Sequence, residues 1–206
     1  MDCLRELDKV VVSRLLIFLD YFSNTNTKYA ICDGSDRQLL LAVQDNSFAS
    51  LFLPNAFVTF LVMNTDIRQV LQLDRPRKLF KVSRMNVYAP STRYIGSIRN
   101  KSFSLLRQSY RVLDARKKLV YKIRGPIFPG TTRIPYNIYN GKGVRVGTIT
   151  RKLRKFPREL VFEGDIFVVT FPKDMSVTDK SLLVGVTFYL EAMYPHLLED
   201  KLRINY

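Results

Sequence analysis

The residues of this chain that could carry out covalent chemistry are few and stand far apart. The 206 residues contain one histidine, His196, and two cysteines, Cys3 and Cys32. Two cysteines alone build neither a disulfide framework nor a zinc site, and they favour a reducing compartment over secretion. The glycines of segment 141–147 are spaced one residue too widely for a dinucleotide fingerprint. The sequence therefore predicts no catalytic constellation and disfavours an enzyme that breaks covalent bonds.

A block of lysine and arginine is the stronger chemical feature. The net charge is +15, but residues 75–158 contain 23 lysines and arginines and a single acid, Asp114, which is a net +22. Residues 1–74 and 159–206 carry −3 and −4. If the block folds into one region, it forms a positive surface that attracts phosphate groups of lipid or nucleic acid.

The elements that must position this block are short β-strands followed by one helix. Runs rich in β-branched and aromatic residues, separated by polar turns, recur over residues 27–171 and indicate a sandwich or a barrel. The clearest helix is Ser176–Tyr194, with Thr178 or Asp179 as N-cap candidates. A short helix at residues 15–22 is an open alternative.

The C-terminal helix carries the most hydrophobic run of the chain, which ends before Glu191. Spanning a bilayer takes about 20 apolar residues, and this run has roughly half that number. Because a helix that is apolar all round must be buried on all sides, we expect it inside a barrel, with membrane insertion as the alternative. The residues predicted to fill the centre are Leu182, Leu183, Val184, Val186, Phe188 and Leu190.

Short motifs in a fixed order resemble those of a known family. They are Lys28-Tyr29-Ala30-Ile31, Ala42-Val43-Gln44-Asp45-Asn46, Leu73-Asp74-Arg75-Pro76, Ala89-Pro90 ahead of Ile95-Gly96, Lys122-Ile123-Arg124-Gly125-Pro126, Gly147-Thr148-Ile149-Thr150-Arg151-Lys152, and Asp165-x-Phe167-x-x-x-Phe171-Pro172-x-Asp174. In this order and spacing the chain is similar to the phospholipid scramblase family from about Leu7 to Tyr194. The resemblance implies a mainly β, tubby-like fold: a closed antiparallel barrel of about twelve strands enclosing a hydrophobic C-terminal helix. We expect this domain over residues 7–196, followed by a tail over 197–206.

The resemblance also implies a Ca²⁺ site just before the C-terminal helix. The acidic segment of the family aligns with Glu163, Asp165 and Asp174. Because Ca²⁺ takes six to eight oxygen ligands and only the first two carboxylates share a strand face, we expect a weak site, of the order of 10⁻⁴–10⁻³ M at best. The alternative is a β-strand with carboxylates at its two ends.

Membrane attachment is expected to be electrostatic. Family members commonly carry palmitoylated cysteines after the segment that aligns with Arg75-Pro76, whereas this chain continues with bases around Leu79 and Phe80. Each base near an anionic leaflet contributes about 1 kcal/mol, although a solvated basic loop is equally compatible with the pattern. The predicted anionic-lipid or phosphate contacts are Arg75, Arg77, Lys78, Lys81, Arg84, Lys117 and Lys118.

A second basic run aligns with the family segment that acts as an unconventional importin-binding signal. It contains Arg151, Lys152, Arg154 and Lys155. Such a run also suits phosphate binding. Importin and nucleic acid are therefore further predicted partners, beside anionic phospholipid.

Two functions follow from these observations. We predict a scramblase-like protein, not an enzyme of bond chemistry, at the cytoplasmic face of membranes, the plasma membrane foremost, that binds anionic phospholipid and promotes Ca²⁺-linked transbilayer lipid movement. Binding is the firmer part, because a single helix of this length offers no evident path for headgroups through about 30 Å of hydrocarbon. The alternative is a basic nucleic-acid-binding or nuclear adaptor protein with the same barrel. Its stacking candidates are Tyr88, Tyr94, Phe103, Tyr110 and Tyr121.

Overall fold

The computed structural model describes eight stretches of the chain, in which β-strands surround one helix. These stretches are residues 1–15, 27–45, 57–76, 84–90, 92–100, 108–127, 132–152 and 163–193. The strands are β1 (Lys9–Leu15), β2 (Lys28–Cys32), β3 (Gln38–Asp45), β4 (Phe57–Met63), β5 (Gln69–Pro76), β6 (Arg84–Tyr88), β7 (Tyr94–Asn100), β8 (Ser109–Asp114), β9 (Leu119–Arg124), β10 (Arg133–Asn140), β11 (Arg145–Lys152) and β12 (Glu163–Thr170), and the helix is α1 (Val177–Met193).

The strands form a closed antiparallel barrel in which neighbours along the chain are neighbours in the sheet. Each strand pairs with the next, and β1 pairs with β12 to close the circle. Polar turns make these tight connections: Asn140 Oδ1 accepts the backbone N–H groups of Lys142 and Val144, at 3.0 Å each. Gly143 has φ +81°, which a glycine adopts without strain. The predicted twelve-stranded barrel is confirmed.

Helix α1 lies inside the barrel, so that it is surrounded by the inner faces of the strands. Every residue from Lys180 to Glu191 is buried, including all six apolar residues predicted for the centre. The Phe188 ring meets the rings of Tyr29 and Phe60 at centroid distances of 5.4 and 5.1 Å. Among the described residues no helix is long and apolar enough to cross a membrane.

The start of α1 differs by a few residues from the predicted cap. Ser176 Oγ accepts the backbone N–H of Asp179 at 3.1 Å, and the Ser176 carbonyl accepts the N–H of Lys180. Ser176 is therefore the N-cap, and the predicted candidates Thr178 and Asp179 lie in the first turn of the helix. An N-cap side chain accepts a hydrogen bond from the backbone N–H two or three residues further along the chain, and α1 begins directly after Ser176. The short helix considered at residues 15–22 does not include Leu15, which is the last residue of strand β1. Residues 16–22 lie outside the described part of the chain.

The close approach of α1 to β7 depends on a glycine. A Cβ at Gly96 would lie 2.3 Å from the Leu113 carbonyl oxygen and 2.9 Å from Leu182 Cδ2. Real Cβ atoms essentially never lie so close to other atoms, so any side chain at Gly96 would displace α1 or β8. The pair Ile95-Gly96, one of the motifs found in the sequence, thus has a packing role.

One buried lysine joins α1 to the N-terminal segment. Lys180 is fully buried, and its Nζ donates to the carbonyl oxygens of Leu4, Arg5 and Leu7 at 3.1, 2.6 and 2.8 Å. The Lys173 carbonyl oxygen, just before the helix, is a fourth acceptor at 2.8 Å, so four carbonyl oxygens share the three N–H groups of this ammonium. The first and last parts of the described chain therefore meet at one ammonium group at this end of the barrel.

Candidate functional site

The described part of the basic block includes six strands that are neighbours on one side of the barrel. Strands β6 to β11 are consecutive neighbours in the sheet. Because side chains alternate between the two faces of a strand, the bases next to buried inward residues point outward. We call the outer faces of β6–β11 the basic wall. Its outward bases are Arg84, Arg99, Arg111, Lys122, Arg124, Arg133, Arg145 and Lys152.

In the described residues, no carboxylate forms an ion pair with an outward base of the basic wall. Within the described ranges, ion pairs join Arg5 to Asp2, Arg37 to Asp33 and Arg151 to Asp165, and none involves an outward base of the wall. Asp114, the single acid of the basic block, accepts the backbone N–H of Lys118 at 2.8 Å in the β8–β9 turn. The wall therefore presents positive charge that an external anion could neutralise.

Three of the predicted lipid contacts lie on this wall or in its turns. Arg84 is the first residue of β6 and is half-buried, whereas Lys117 and Lys118 are exposed in the β8–β9 turn at the opposite end of the wall. The predicted contacts Arg77, Lys78 and Lys81 lie outside the described residues. The structure thus separates Arg84 from the two turn lysines along the barrel axis.

Arg75 is directed into the barrel, away from the surface on which a lipid contact was predicted. It follows the inward, buried Leu71 and Leu73 at a spacing of two residues. Its guanidinium donates to the carbonyl oxygen of Ala192 and lies 3.4 Å from the sulfur of Met193. Burial lowers the pKa of Arg75. This cation therefore caps the C-terminus of α1, where the helix dipole favours positive charge.

Replacing Arg75 by methionine is expected to lower the free energy of unfolding by about 1–2 kcal/mol, because the last turn of α1 loses its cap. Urea unfolding followed by circular dichroism measures the change. The control is Arg133→Met on the exposed outer face of β10, which should leave the stability within about 0.5 kcal/mol. A wild-type stability of the Arg75→Met protein would contradict the capping role.

Arg151, predicted for importin or phosphate binding, also points inward. It is 3% exposed, and its Nε and Nη2 lie 2.6 and 2.5 Å from Asp165 Oδ2. Its guanidinium also lies 5.7 Å from the centre of the Phe167 ring. Lys152, its neighbour, is exposed on the outer face, and the predicted residues Arg154 and Lys155 lie outside the described part of the chain.

The Arg151–Asp165 pair belongs to a group of charges inside the barrel near the end of α1. We call Arg14, Arg151, Asp165 and Glu191 the inner charged cluster. Glu191 is 6% exposed, and burial raises its pKa to about 7. The charge of Arg151 and, less strongly, that of Arg14 oppose this shift, whereas Asp165 adds to it. Burial also raises the pKa of the neighbouring Tyr29.

Of the predicted Ca²⁺ ligands, Asp165 and Asp174 have side chains within the described residues. No group of three or more His, Cys, Asp or Glu side chains that could hold a metal ion occurs among them. Asp165 is engaged by Arg151, and Asp174 is exposed between β12 and α1. The side chain of Glu163 lies outside the description. Calcium binding stays a prediction.

Two of the tyrosines considered for base stacking are part of the core. Tyr110 and Tyr121 are 1% and 9% exposed, because both occupy inward positions of β8 and β9. Tyr88 and Tyr94 are half-buried and meet each other at a centroid distance of 5.7 Å, and Phe103 lies outside the described residues. Tyr110 and Tyr121 are therefore not available for base stacking.

Comparison with solved structures supports the fold. A protein of Arabidopsis thaliana whose X-ray structure is known superposes on 91% of this chain and 94% of its own, with a TM-score of 0.51 and 11% sequence identity. At this identity the likeness concerns the fold alone.

Comparison with characterised sequences points to one family. Phospholipid scramblase 1 of Mus musculus is 22% identical over 94% of this chain, and human phospholipid scramblase 4 is 24% identical over the same share. This chain spans 63% of the length of each, a little under two thirds. A family model described as Scramblase matches residues 1–196. The chain belongs to the scramblase family.

Proposed function

We propose that the protein binds anionic phospholipid at a membrane surface and acts in the movement of lipid between leaflets. The observation that carries the proposal is the basic wall, whose outward bases have no carboxylate partner among the described residues. Each base held near an anionic leaflet contributes about 1 kcal/mol of binding, so a few of them suffice for attachment. The names of the relatives, phospholipid scramblases, agree with a lipid ligand.

The lipid-moving part of the proposal includes a weak dependence on Ca²⁺ through Glu163, Asp165 and Asp174. Because Asp165 is held by the Arg151 guanidinium, a Ca²⁺ ion that uses this carboxylate has to displace an arginine. This competition favours low affinity. We place the protein at the cytoplasmic face of membranes, where anionic lipids attract polybasic surfaces, and assign it no bond-breaking chemistry.

Vesicle co-sedimentation tests the binding step. We expect the protein to sediment with vesicles of phosphatidylserine and phosphatidylcholine and to dissociate from them as the salt concentration is raised. It should not bind vesicles of phosphatidylcholine alone. Binding that is independent of both phosphatidylserine and salt would contradict the proposal. Tighter, salt-sensitive binding to single-stranded or duplex oligonucleotides would favour the nucleic-acid function instead.

Reconstitution tests the transport step separately. Liposomes with a fluorescent phospholipid in both leaflets are treated with an external quencher, and the accessible fraction is followed with and without Ca²⁺. Faster exposure of inner-leaflet lipid than in protein-free liposomes is expected. An unchanged rate would leave lipid binding as the function and remove the transport.

A further inference from the structure

We propose that four bases, aligned side by side across β6 to β9, form the surface by which the barrel docks onto the phosphate groups of an anionic bilayer. These residues, which we call the basic row, are Arg84, Arg99, Arg111 and Lys122. This inference rests on the proposed function and specifies which part of the basic wall faces the membrane.

The register of the sheet creates the basic row. Arg84 lies directly opposite Arg99, Arg99 opposite Arg111, and Arg111 opposite Lys122. All four occupy outward positions, since their neighbours Met85, Ile98, Val112 and Ile123 are buried inside the barrel. With adjacent strands roughly 4.8 Å apart, the row crosses about 14 Å of the surface.

This alignment works against the stability of the sheet. Like charges directly opposite each other on antiparallel strands are destabilising, and the basic row contains three such contacts in succession. No carboxylate forms an ion pair with any of the four residues in the described part of the chain. The basic row lowers the stability of the sheet, and its charges have no carboxylate partner among the described residues. Binding of an anionic partner explains such a row better than a role in folding does.

The β6–β7 end of the basic row also contains polar atoms without a partner. The Nε atoms of Arg84 and Arg99 are shielded from solvent and have no hydrogen-bond acceptor among the described residues, and the same holds for Ser97 Oγ as a donor. Arg84 has one long contact, in which its Nη2 lies 3.5 Å from the Tyr94 hydroxyl. Shielded Nε atoms indicate guanidinium groups held against the sheet, so that the terminal Nη atoms are the donors left to pair with phosphate oxygens.

The distribution of charge around the barrel indicates which side faces the bilayer. The opposite side, centred on β1 and β2, contributes the outward bases Lys9 and Lys28, neither of them in a row of bases. At the far end of the basic row, Lys122 lies opposite Tyr139, and the Arg124 guanidinium lies 5.1 Å from the centre of the Tyr139 ring. The Tyr139 ring is therefore engaged by a cation of the wall, and a row of bases matches an anionic lipid surface.

The test removes two charges from the row and, in a matched control, two from the other side. We expect the Arg99→Gln/Arg111→Gln protein to bind phosphatidylserine vesicles about 30-fold more weakly, since each base near an anionic leaflet accounts for about a fivefold change. The control Lys9→Gln/Lys28→Gln has the same net charge, and its binding should fall less than about threefold. Arg99→Lys/Arg111→Lys, which keeps both charges, should retain most of the binding.

Thermal unfolding at low salt distinguishes a loss of binding from a loss of folding. The Arg99→Gln/Arg111→Gln protein is expected to melt at or above the wild-type temperature, because repulsion between opposed bases is removed. Equal losses of binding in this protein and in the control would overturn the basic row while leaving the proposed function intact. Failure of the wild type to bind phosphatidylserine vesicles would overturn both. A larger loss for oligonucleotides than for vesicles would assign the row to nucleic acid and overturn the membrane docking.

Discussion

Replacing Lys180 by methionine should lower the free energy of unfolding by about 3–5 kcal/mol, which is a large part of the stability of a typical domain. Methionine fills a similar volume but donates no hydrogen bond. The carbonyl oxygens of Leu4, Arg5, Leu7 and Lys173 would then lose their common donor at a buried site. An unsatisfied buried polar group costs about 1–3 kcal/mol, and the four carbonyls are not independent.

Urea unfolding measures this loss, and Lys173→Met provides the control. Lys173 is exposed, and it contributes to the site through its backbone carbonyl, which the substitution keeps. The control should therefore change the stability by less than about 0.5 kcal/mol. We also expect proteolysis of Lys180→Met to begin within residues 1–8, because the N-terminal segment loses its contact with α1. A stability equal to that of the control would show that the hydrogen bonds of the Lys180 ammonium contribute nothing.

Replacing Glu191 by glutamine should stabilise the protein at pH 8 by about 3 kcal/mol and leave it unchanged at pH 4. Burial raises the pKa of Glu191 from 4.5 to about 7. Between these values the folded protein keeps a proton that the unfolded chain has released, so wild-type stability falls as the pH rises through this window. Glutamine has almost the same shape and does not titrate, so this contribution disappears.

The measurement is the difference in unfolding free energy between the two proteins from pH 4 to pH 8, in which all other titrations cancel. Arg151 and Arg14 stabilise the ionised carboxylate, and Asp165 disfavours it. Asp36→Asn is the control, since Asp36 is exposed and asparagine tolerates its φ of +62°. A pH-independent difference, or a glutamine protein that is less stable at pH 8, would mean that the arginines hold Glu191 ionised.

The turns and the helix were predictable from the residues because their signals are local, whereas the count of about twelve strands came from the family resemblance. Polar turns such as Asn140–Gly143 are recognisable from residue type alone. The apolar run of α1 required burial on all sides, which pointed to the inside of a barrel. Strand β1 was not predicted from the pattern: Val10, Val11 and Val12 are all apolar, although Val10 and Val12 are buried inside the barrel and Val11 lies between them on the outer face. A strand of this kind does not show clear alternation.

The candidate site was predictable only in its overall charge. Arg75 and Arg151 were assigned to the surface because they are basic, although each follows a buried residue, Leu73 or Ile149, at a spacing of two. Strand alternation was therefore a signal that could have placed both inside. The opposition of Arg99 and Arg111 has no local signal, because it depends on the register between β7 and β8. A shift of one residue would turn these side chains to the other face.

The position of α1 inside a closed sheet has a consequence for the order in which the chain can fold. Ribosomes synthesise the strands first, and the helix that fills the barrel follows β12. The seam between β1 and β12 joins segments about 150 residues apart, and pairing over such separations is slow because a long loop must close first. Because α1, a helix of 17 residues, fills the inside of the barrel, we expect the sheet to close around it only after it has been synthesised. Until then the apolar inner faces of the strands are uncovered, and the newly made chain is prone to aggregation.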